Sequence, residues 1–435
     1  MTQKRVGIMT LGCKVNQYES EAIAEAFEAA GYTVAAPDTA CDAYVINTCT
    51  VTAESDRKAR QVIRRVATAH PTAAILVTGC LAQSHPNEVA KLPGVDYICG
   101  SRNKLSLIKA AMKIQKEGKP QAPQIVVPPL SETPFEPMCI THFERTRAYV
   151  KIEDGCENRC AYCAIPAARG PVCSKAPEEI LREVEGLIQG GCREVVLTGI
   201  ETASFGRDLK TTSLIELLEA VDRIPGDFRI RLGSLDPSLM KEDFVARAAR
   251  LSHLAPHFHL SIQSGSSHVL AGMRRKYNRE MALAGVRRLR AAFPNLELTT
   301  DFIVGFPGER EEDFNDTVSF AKEAAFLQMH VFAYSRREGT PAAAMKEQVD
   351  SATKKARSAA LIEVGNALHR ERLALALKTP MRTVLFESFE NGIATGHTDS
   401  FLEVSVHSPV PLHGELLQVR LTAIENNRLF ATLER

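Results

Sequence analysis

The chain has 435 residues, 45% of them hydrophobic and 24% charged, with 53 Lys+Arg against 52 Asp+Glu and 11 cysteines. That length predicts two or three domains, and the composition excludes a mainly disordered chain. The net charge of +1 excludes a uniformly basic nucleic-acid coat but leaves room for a local basic patch. No run of about 18 apolar residues occurs, so neither a transmembrane helix nor a membrane partner is expected. The opening MTQKRVGIMTLG is too short an apolar stretch for a secretory signal, and the chain is expected to be cytoplasmic. An odd number of cysteines in a reducing compartment points to metal ligands or small buried hydrophobes rather than disulfides.

Residues 1–113 alternate strand and helix patterns. RVGIMT (5–10), DAYVIN (42–47) and AAILVT (73–78) read as strands. NQYESEAIAEAFEAAG (16–31) reads as a helix ending at Gly31, and ESDRKARQVIRRVATAH (54–70) as one stopped by Pro71. This alternation predicts a parallel α/β sheet. Residues 114–142 carry six of the 22 prolines and read as a partly extended linker. From 143 to 374 come six strand candidates, AYVKIE, EVVLTG, RIRLGS, FHLSIQ, ELTTDFIVG and MHVFAY, with helical stretches such as 177–191 between most of them. They predict a partial or open (β/α)6 barrel working at the C-terminal strand ends, or alternatively an open doubly wound sheet. Residues 375–435 hold five short alternating segments separated by ENG, HGE and ENN turns. These predict a small β-barrel of OB-type size, serving as a nucleic-acid grip or as a structural cap.

Two sets of cysteines carry chemistry. KIEDGCENRCAYCAIPAARG contains Cys156, Cys160 and Cys163 in C-x3-C-x2-C spacing. Three thiolates on one short loop hold three corners of an iron–sulfur cubane and leave the fourth iron open. A zinc site wants a fourth ligand, and the next cysteine is Cys173. Cys13, Cys49 and Cys80 each follow a predicted parallel strand. Parallel strands bring those ends to one sheet edge, so the three thiols converge on a second metal or cluster site, with Gly12 and Gly79 allowing tight turns. Cys41, Cys99, Cys139, Cys173 and Cys192 share no spacing and read as structural or exposed thiols.

The C-x3-C-x2-C spacing resembles the radical S-adenosylmethionine (SAM) superfamily, whose fold is a partial (β/α) barrel. The wider set TLGCKVNQYES, NTCTVT, GCLAQ, VLTGIETASFG, RLGSLDP, HLSIQSGSSHVLAGMRRKY, DFIVGFPGE and FAYSRREGTPA resembles the methylthiotransferases, from residue 10 to 342. The final barrel is similar to that family's TRAM domain. GCKVNQYE with NTCTVT looks like the MtaB-type branch, which acts on N6-threonylcarbamoyladenosine beside the tRNA anticodon. The resemblance implies two 4Fe–4S clusters: a SAM cluster on Cys156, Cys160 and Cys163, and an auxiliary one on Cys13, Cys49 and Cys80. It also implies that SAM is used twice, as methyl donor and as radical source, with an electron donor as partner. Replacing an unactivated adenine C2–H calls for such a cofactor, because no side-chain base removes that hydrogen as a proton.

The resemblance places Tyr162 near the SAM adenine, with loop anchoring as its other reading. Strand ends and resemblance together give Ser234, Gln263 and Asp301 as SAM contacts. Glu201 and Asp236 depart from the familiar family residues; Glu201 is a candidate for the SAM ammonium and Asp236 for a ribose hydroxyl. The base must leave its stack, at modest cost in an anticodon loop. Arg57, Arg60 and Arg64 share a helix face flanked by Lys58 and Arg65, and Arg274 and Arg275 lie in a second basic run with Lys276 and Arg279; both are candidates for phosphate contact. Arg169 is a candidate for the carboxylate of the modified base, for phosphate, or for holding the cluster loop. No DNA partner is expected. The competing readings are action on isopentenyladenosine tRNA or a ribosomal protein, and a non-catalytic metal-binding RNA-binding protein.

Overall fold

The computed structural model describes residues 3–143 and 145–434. Its first unit is a six-stranded sheet. β1 (Lys4–Thr10) leads through α1 (Lys14–Ala29) to β2 (Tyr32–Ala35). β3 (Ala43–Thr48), α2 (Ala53–Ala69), β4 (Ala74–Gly79), α3 (Cys80–Ser84) and β5 (Tyr97–Cys99) follow. β3 and β4 are buried along their whole length, as central parallel strands covered on both faces must be. Thr52 starts α2 by accepting a hydrogen bond from the Ser55 amide, with Glu54 and Asp56 in the first turn.

The region read as a linker takes part in this unit. A helix over Ser106–Glu117 runs past residue 113, and β6 (Gln124–Val126) pairs parallel with β5 as the sheet's sixth strand. Its three residues are exposed, and Pro123 and Pro128 flank it, which an edge strand tolerates. Strand order is β2-β1-β3-β4-β5-β6, with every pairing parallel. The chain steps out from β1 to β2 and returns past β1 to β3. That reversal makes a switch point, the place where open α/β sheets bind ligands beyond their C-terminal strand ends.

The six expected barrel strands all form. β7 (Ala148–Lys151) comes first. β8 (Glu153–Asp154) and β9 (Cys173–Ser174) then pair antiparallel and tie the neck of the cysteine loop between them. β10 (Glu194–Thr198) and β11 (Arg229–Leu232) complete the order β11-β10-β7. Beyond Gly233 come β12 (Ser234–Leu235), β13 (His257–Gln263), β14 (Glu297–Val304) and β15 (Gln328–Ala333), in that order. All these pairings are parallel; the ladder is interrupted between β11 and β12, which follow each other in the chain, and β7 and β15 lie at its outer ends. Gln328, His330 and Phe332 project from one exposed face of β15, while helix Ser351–Ala376 packs on the strand.

The last unit is the expected small barrel, closed. β16 (Met381–Glu390), β17 (Ile393–Thr398), β18 (Glu403–His407), β19 (Leu416–Glu425) and β20 (Arg428–Leu433) run in the order β16-β17-β18-β20-β19. It docks on the N-terminal ends of the larger barrel's strands. Phe401 stacks on His257 at 4.4 Å and on His397 at 4.7 Å, with Arg147 and Arg231 over its ring at 5.3 and 5.1 Å. Below it Glu194 binds Arg231 at 2.7 Å and Arg147 at 3.1 Å. The barrel therefore closes the bottom of the larger one, as a cap does.

Candidate functional site

Cys13, Cys49 and Cys80 stand beyond the C-terminal ends of β1, β3 and β4, three neighbouring strands at the switch point. Gly12 has φ +105°, and a Cβ there would lie 2.8 Å from the Cys49 Cβ and 2.9 Å from its Sγ. Only glycine lets Cys49 come that close. Gly79, with φ +94°, would drive a Cβ to 2.3 Å from the Thr48 carbonyl. Cys49 and Cys80 are buried, whereas Cys13 is solvent-accessible although protein surrounds much of it. Burial pushes all three thiols up, and Arg169 draws Cys13 and Cys80 back toward the thiolate. Each thiol also feels the charge of another in the trio.

The second trio lies on the loop between β8 and β9. The Asn158 amide donates to Cys156 Sγ and the Ile165 amide to Cys163 Sγ, each at 3.4 Å. Arg275 Nη1 donates to Cys160 Sγ at 3.2 Å. Burial pushes Cys156 up to about 12 and Cys163 up to about 11. Such N–H and guanidinium donors stabilise sulfur that carries charge. Among the described residues, no three Cys, His, Asp or Glu side chains close on a single-ion point. The all-thiol donor set, each trio with one arginine on a sulfur, fits a cluster that spreads its ligands over several irons.

Beside this loop, bonded to its Asn158, stands a carboxylate with an unpartnered oxygen. Glu201 Oε2 accepts from Asn158 Nδ2 at 3.1 Å, while its Oε1 is buried without a hydrogen bond. Burial, and next Asp236, pushes Glu201 up to about 7. Asp236 accepts from the Ser238 amide at 2.9 Å and from Arg275 Nη2 at 2.6 Å. Tyr162 packs against the apolar group of Val269, Met273, Phe306 and Tyr334. An orphaned carboxylate oxygen, a second carboxylate and an aromatic wall suit the ammonium, ribose and adenine of SAM.

A buried ionic network ties Cys80 of the first trio to Asp154 and Arg169, which flank the second trio in the chain. Arg169 is fully buried; its Nε donates to Cys80 Sγ at 3.2 Å and its Nη1 to Glu19 Oε1 at 2.6 Å and Asp154 Oδ2 at 3.2 Å. Nη2 donates to Asn16 Oδ1 at 2.6 Å. Lys151 bonds both Glu19 and Asp154, at 2.7 and 2.6 Å, and Lys104 pairs with Glu19 at 3.2 Å. Against the upward push of burial, Arg169, Lys104 and Lys151 hold Glu19 well below the usual carboxylate range.

Residues 5–100 match the family model described as uncharacterized protein family UPF0004, and residues 150–321 match the radical SAM superfamily. The chain is 39% identical over 422 residues to the threonylcarbamoyladenosine tRNA methylthiotransferase MtaB of Bacillus subtilis (strain 168), covering 96% of this chain and 93% of that one. This chain belongs to the MtaB-type radical SAM methylthiotransferase family. A further relative, the tRNA-2-methylthio-N(6)-dimethylallyladenosine synthase of Desulfitobacterium hafniense (strain Y51), is 33% identical over 98% of this chain and 97% of its own. The fold of this methylthiotransferase resembles that of the radical SAM methyltransferase TsrM from Kitasatospora setae, with TM-score 0.59 and 15% identity over 79% and 77% of the two chains. Membership of the radical SAM superfamily carries with it SAM and a 4Fe–4S cluster as cofactors. Among the described residues no helix is long and apolar enough to cross a membrane.

Other candidates of the MtaB-type chain fall differently from their sequence reading. Arg169 and Arg275 face the two trios and not an outer surface; Arg275's side chain is 6% exposed, so phosphate contact does not suit either. Arg57 is exposed but paired with Glu54 at 2.6 Å, and Arg60 with Glu88 at 2.7 Å. Lys58, Arg64 and Arg65 form the open part of the α2 face, and Arg274 and Lys276 the open part of the second run. Ser234 is exposed on β12, and Gln263 ends β13 with φ +68°. Asp301 lies inside β14 instead of at the rim, bonded to His259 and His330 at 3.2 Å each. Cys99 and Cys192 are buried, Cys139 is exposed, and Cys41 and Cys173 lie between.

Sequence reasoning missed Glu19, Lys104, Lys151 and Asp154. A signal was present for two of them: Glu19 falls on the helix face of Val15, Ala22 and Ile23, and Asp154 continues the alternation of Ala148, Val150 and Ile152, whereas Lys104 and Lys151 carry none.

Proposed function

We propose that this enzyme adds a methylthio group to C2 of N6-threonylcarbamoyladenosine next to the tRNA anticodon. It does so with SAM and two 4Fe–4S clusters, one on Cys156, Cys160 and Cys163 and an auxiliary one on Cys13, Cys49 and Cys80. The observation that carries the reading is the pairing of two all-cysteine trios across one buried ionic network, each with an arginine on a sulfur. The name borne by the Bacillus relative supports the substrate.

When bound, the SAM cluster supplies the one-electron reduction of SAM that opens a route to an unactivated aromatic C–H. Glu201 Oε1 accepts from the SAM ammonium, and Asp236, already held by Arg275, accepts from a ribose hydroxyl. Tyr162 and its apolar neighbours exclude water from the adenine. Arg169 fixes Cys80 relative to the other loop, so the sulfur-bearing edge and the SAM pocket keep one spacing. The RNA enters along the open β15 edge, where Phe332 offers an exposed ring for stacking. Lys58, Arg64, Arg65, Arg274 and Lys276 offer charge to phosphates.

The test is mass spectrometry of tRNA nucleosides from cells lacking the gene. The 2-methylthio form of threonylcarbamoyladenosine should vanish and its unthiolated precursor accumulate. Persistence of the methylthio form at its normal level sinks the proposal.

A further inference from the structure

C2 and C6 of adenine are both bonded to N1, so the reacting carbon and the N6 substituent share one edge of the ring. A threonylcarbamoyl group on N6 therefore carries its carboxylate into the neighbourhood of whatever attacks C2. A site that accepts this group must meet a charged carboxylate with a cation or with hydrogen-bond donors, because an unpaired buried charge is costly.

Lys14 directly follows Cys13, a corner of the auxiliary trio, and opens α1. Like Cys13 it is exposed to solvent, although protein surrounds much of it. Among the described residues its ammonium has neither a hydrogen bond nor an ion pair. The two carboxylates whose charge reaches it are engaged elsewhere. Glu194 is held by Arg231 at 2.7 Å and Arg147 at 3.1 Å, and Asp301 by His259 and His330 at 3.2 Å each. Arg231 and Arg147 also act on Lys14, so the charges around it attract an anion more than they repel one.

We propose that Lys14 is the specificity-determining residue that binds the carboxylate of the N6-threonylcarbamoyl group. The proposal rests on the substrate reading above and assigns that recognition to one side chain. A lysine fits the task because its flexible stem follows a carboxylate that swings on a threonyl chain, with no fixed fork to satisfy.

The experiment measures dissociation constants of cluster-loaded protein for two anticodon stem-loops, one bearing the threonylcarbamoyl acid and one its primary amide. The amide keeps the size and drops the charge. The unaltered enzyme should prefer the acid by roughly 10- to 100-fold, the range of a charge-assisted hydrogen bond. Lys14→Gln should bring the ratio near one by weakening the acid complex, and Lys14→Arg should keep most of the preference. A Lys14→Gln protein that retains the full preference overturns the proposal, as does an unaltered enzyme with no preference. Iron lost in Lys14→Gln and kept in Lys14→Arg also overturns it, assigning the cation to the cluster. The substrate reading fails separately, if the unaltered enzyme methylthiolates an isopentenyladenosine stem-loop at least as fast as the threonylcarbamoyl one.

Discussion

Arg169 holds its Nε 3.2 Å from the Sγ of Cys80, although 89 positions separate the two in the chain. One guanidinium thus touches a thiol at the edge of the first sheet while its own backbone belongs to the helix Ile165–Arg169, just after Cys163. Its carbonyl accepts from Arg102 Nη2 at 2.7 Å, which fixes the chain on the other side. Together with Glu19, which accepts from its Nη1 at 2.6 Å, this side chain ties the segment just after the second trio to Cys80 of the first.

Removing that guanidinium leaves Glu19 and Asp154 buried with fewer counter-charges. Arg169→Ala should cost about 3–5 kcal/mol of stability, the usual penalty for stranding a buried charge. Arg169→Lys keeps the charge but cannot bond Glu19, Asn16 and Cys80 at once, and it should fold yet hold the auxiliary iron weakly. Thermal melts and iron per chain read both. Full iron retention in Arg169→Lys would detach this residue from the auxiliary site.

Two separate trios predict separable iron. Replacing Cys156, Cys160 and Cys163 together with Ala should halve bound iron and abolish SAM cleavage. Replacing Cys13, Cys49 and Cys80 should also halve it while reductive SAM cleavage stays measurable. A variant of the second trio that loses all its iron would show one joint site.

The α2 face predicts a graded salt response. Changing Lys58, Arg64 and Arg65 to Gln should flatten the dependence of tRNA affinity on salt, by roughly 0.7–0.9 in log–log slope for each phosphate left without its cation. Arg57→Gln and Arg60→Gln should change it less, because Glu54 and Glu88 already occupy those guanidiniums. Equal slopes in every variant would mark the face as merely solvated.

Glu194 predicts a pH signature of the capped barrel. Burial alone would raise its carboxyl, but Arg231, then Arg147 and Arg229, pull it down from 4.5 to about 2. A carboxyl depressed in the folded state contributes stability that is fully present above pH 4.5 and is lost as pH falls toward 2. Glu194→Gln should therefore melt well below the unaltered protein at pH 7, and the gap should shrink at pH 3. A gap of constant size would remove the ionised carboxylate from the account.

The six barrel strands, the β-barrel and both cysteine trios were legible because each is written locally. Apolar alternation marks a strand whatever lies beyond it, and a parallel sheet sends every strand's C-terminal end to one edge. C-x3-C-x2-C needs only a short loop. β6 escaped because three exposed residues between prolines carry no periodicity, and only the β5 edge gives them partners. The buried network escaped for a deeper reason. Glu19, Lys104, Lys151 and Arg169 are ordinary surface residues by type, and no spacing rule brings them together. Their burial becomes tolerable only when four segments fold onto one another, because each charge then finds its counter-charge within hydrogen-bond distance. The sequence by itself determined which sulfurs exist and which sheet edges they occupy. The tertiary structure decided that Arg169 and Arg275 face those sulfurs rather than RNA, because packing, and not residue type, sets which arginines keep contact with water.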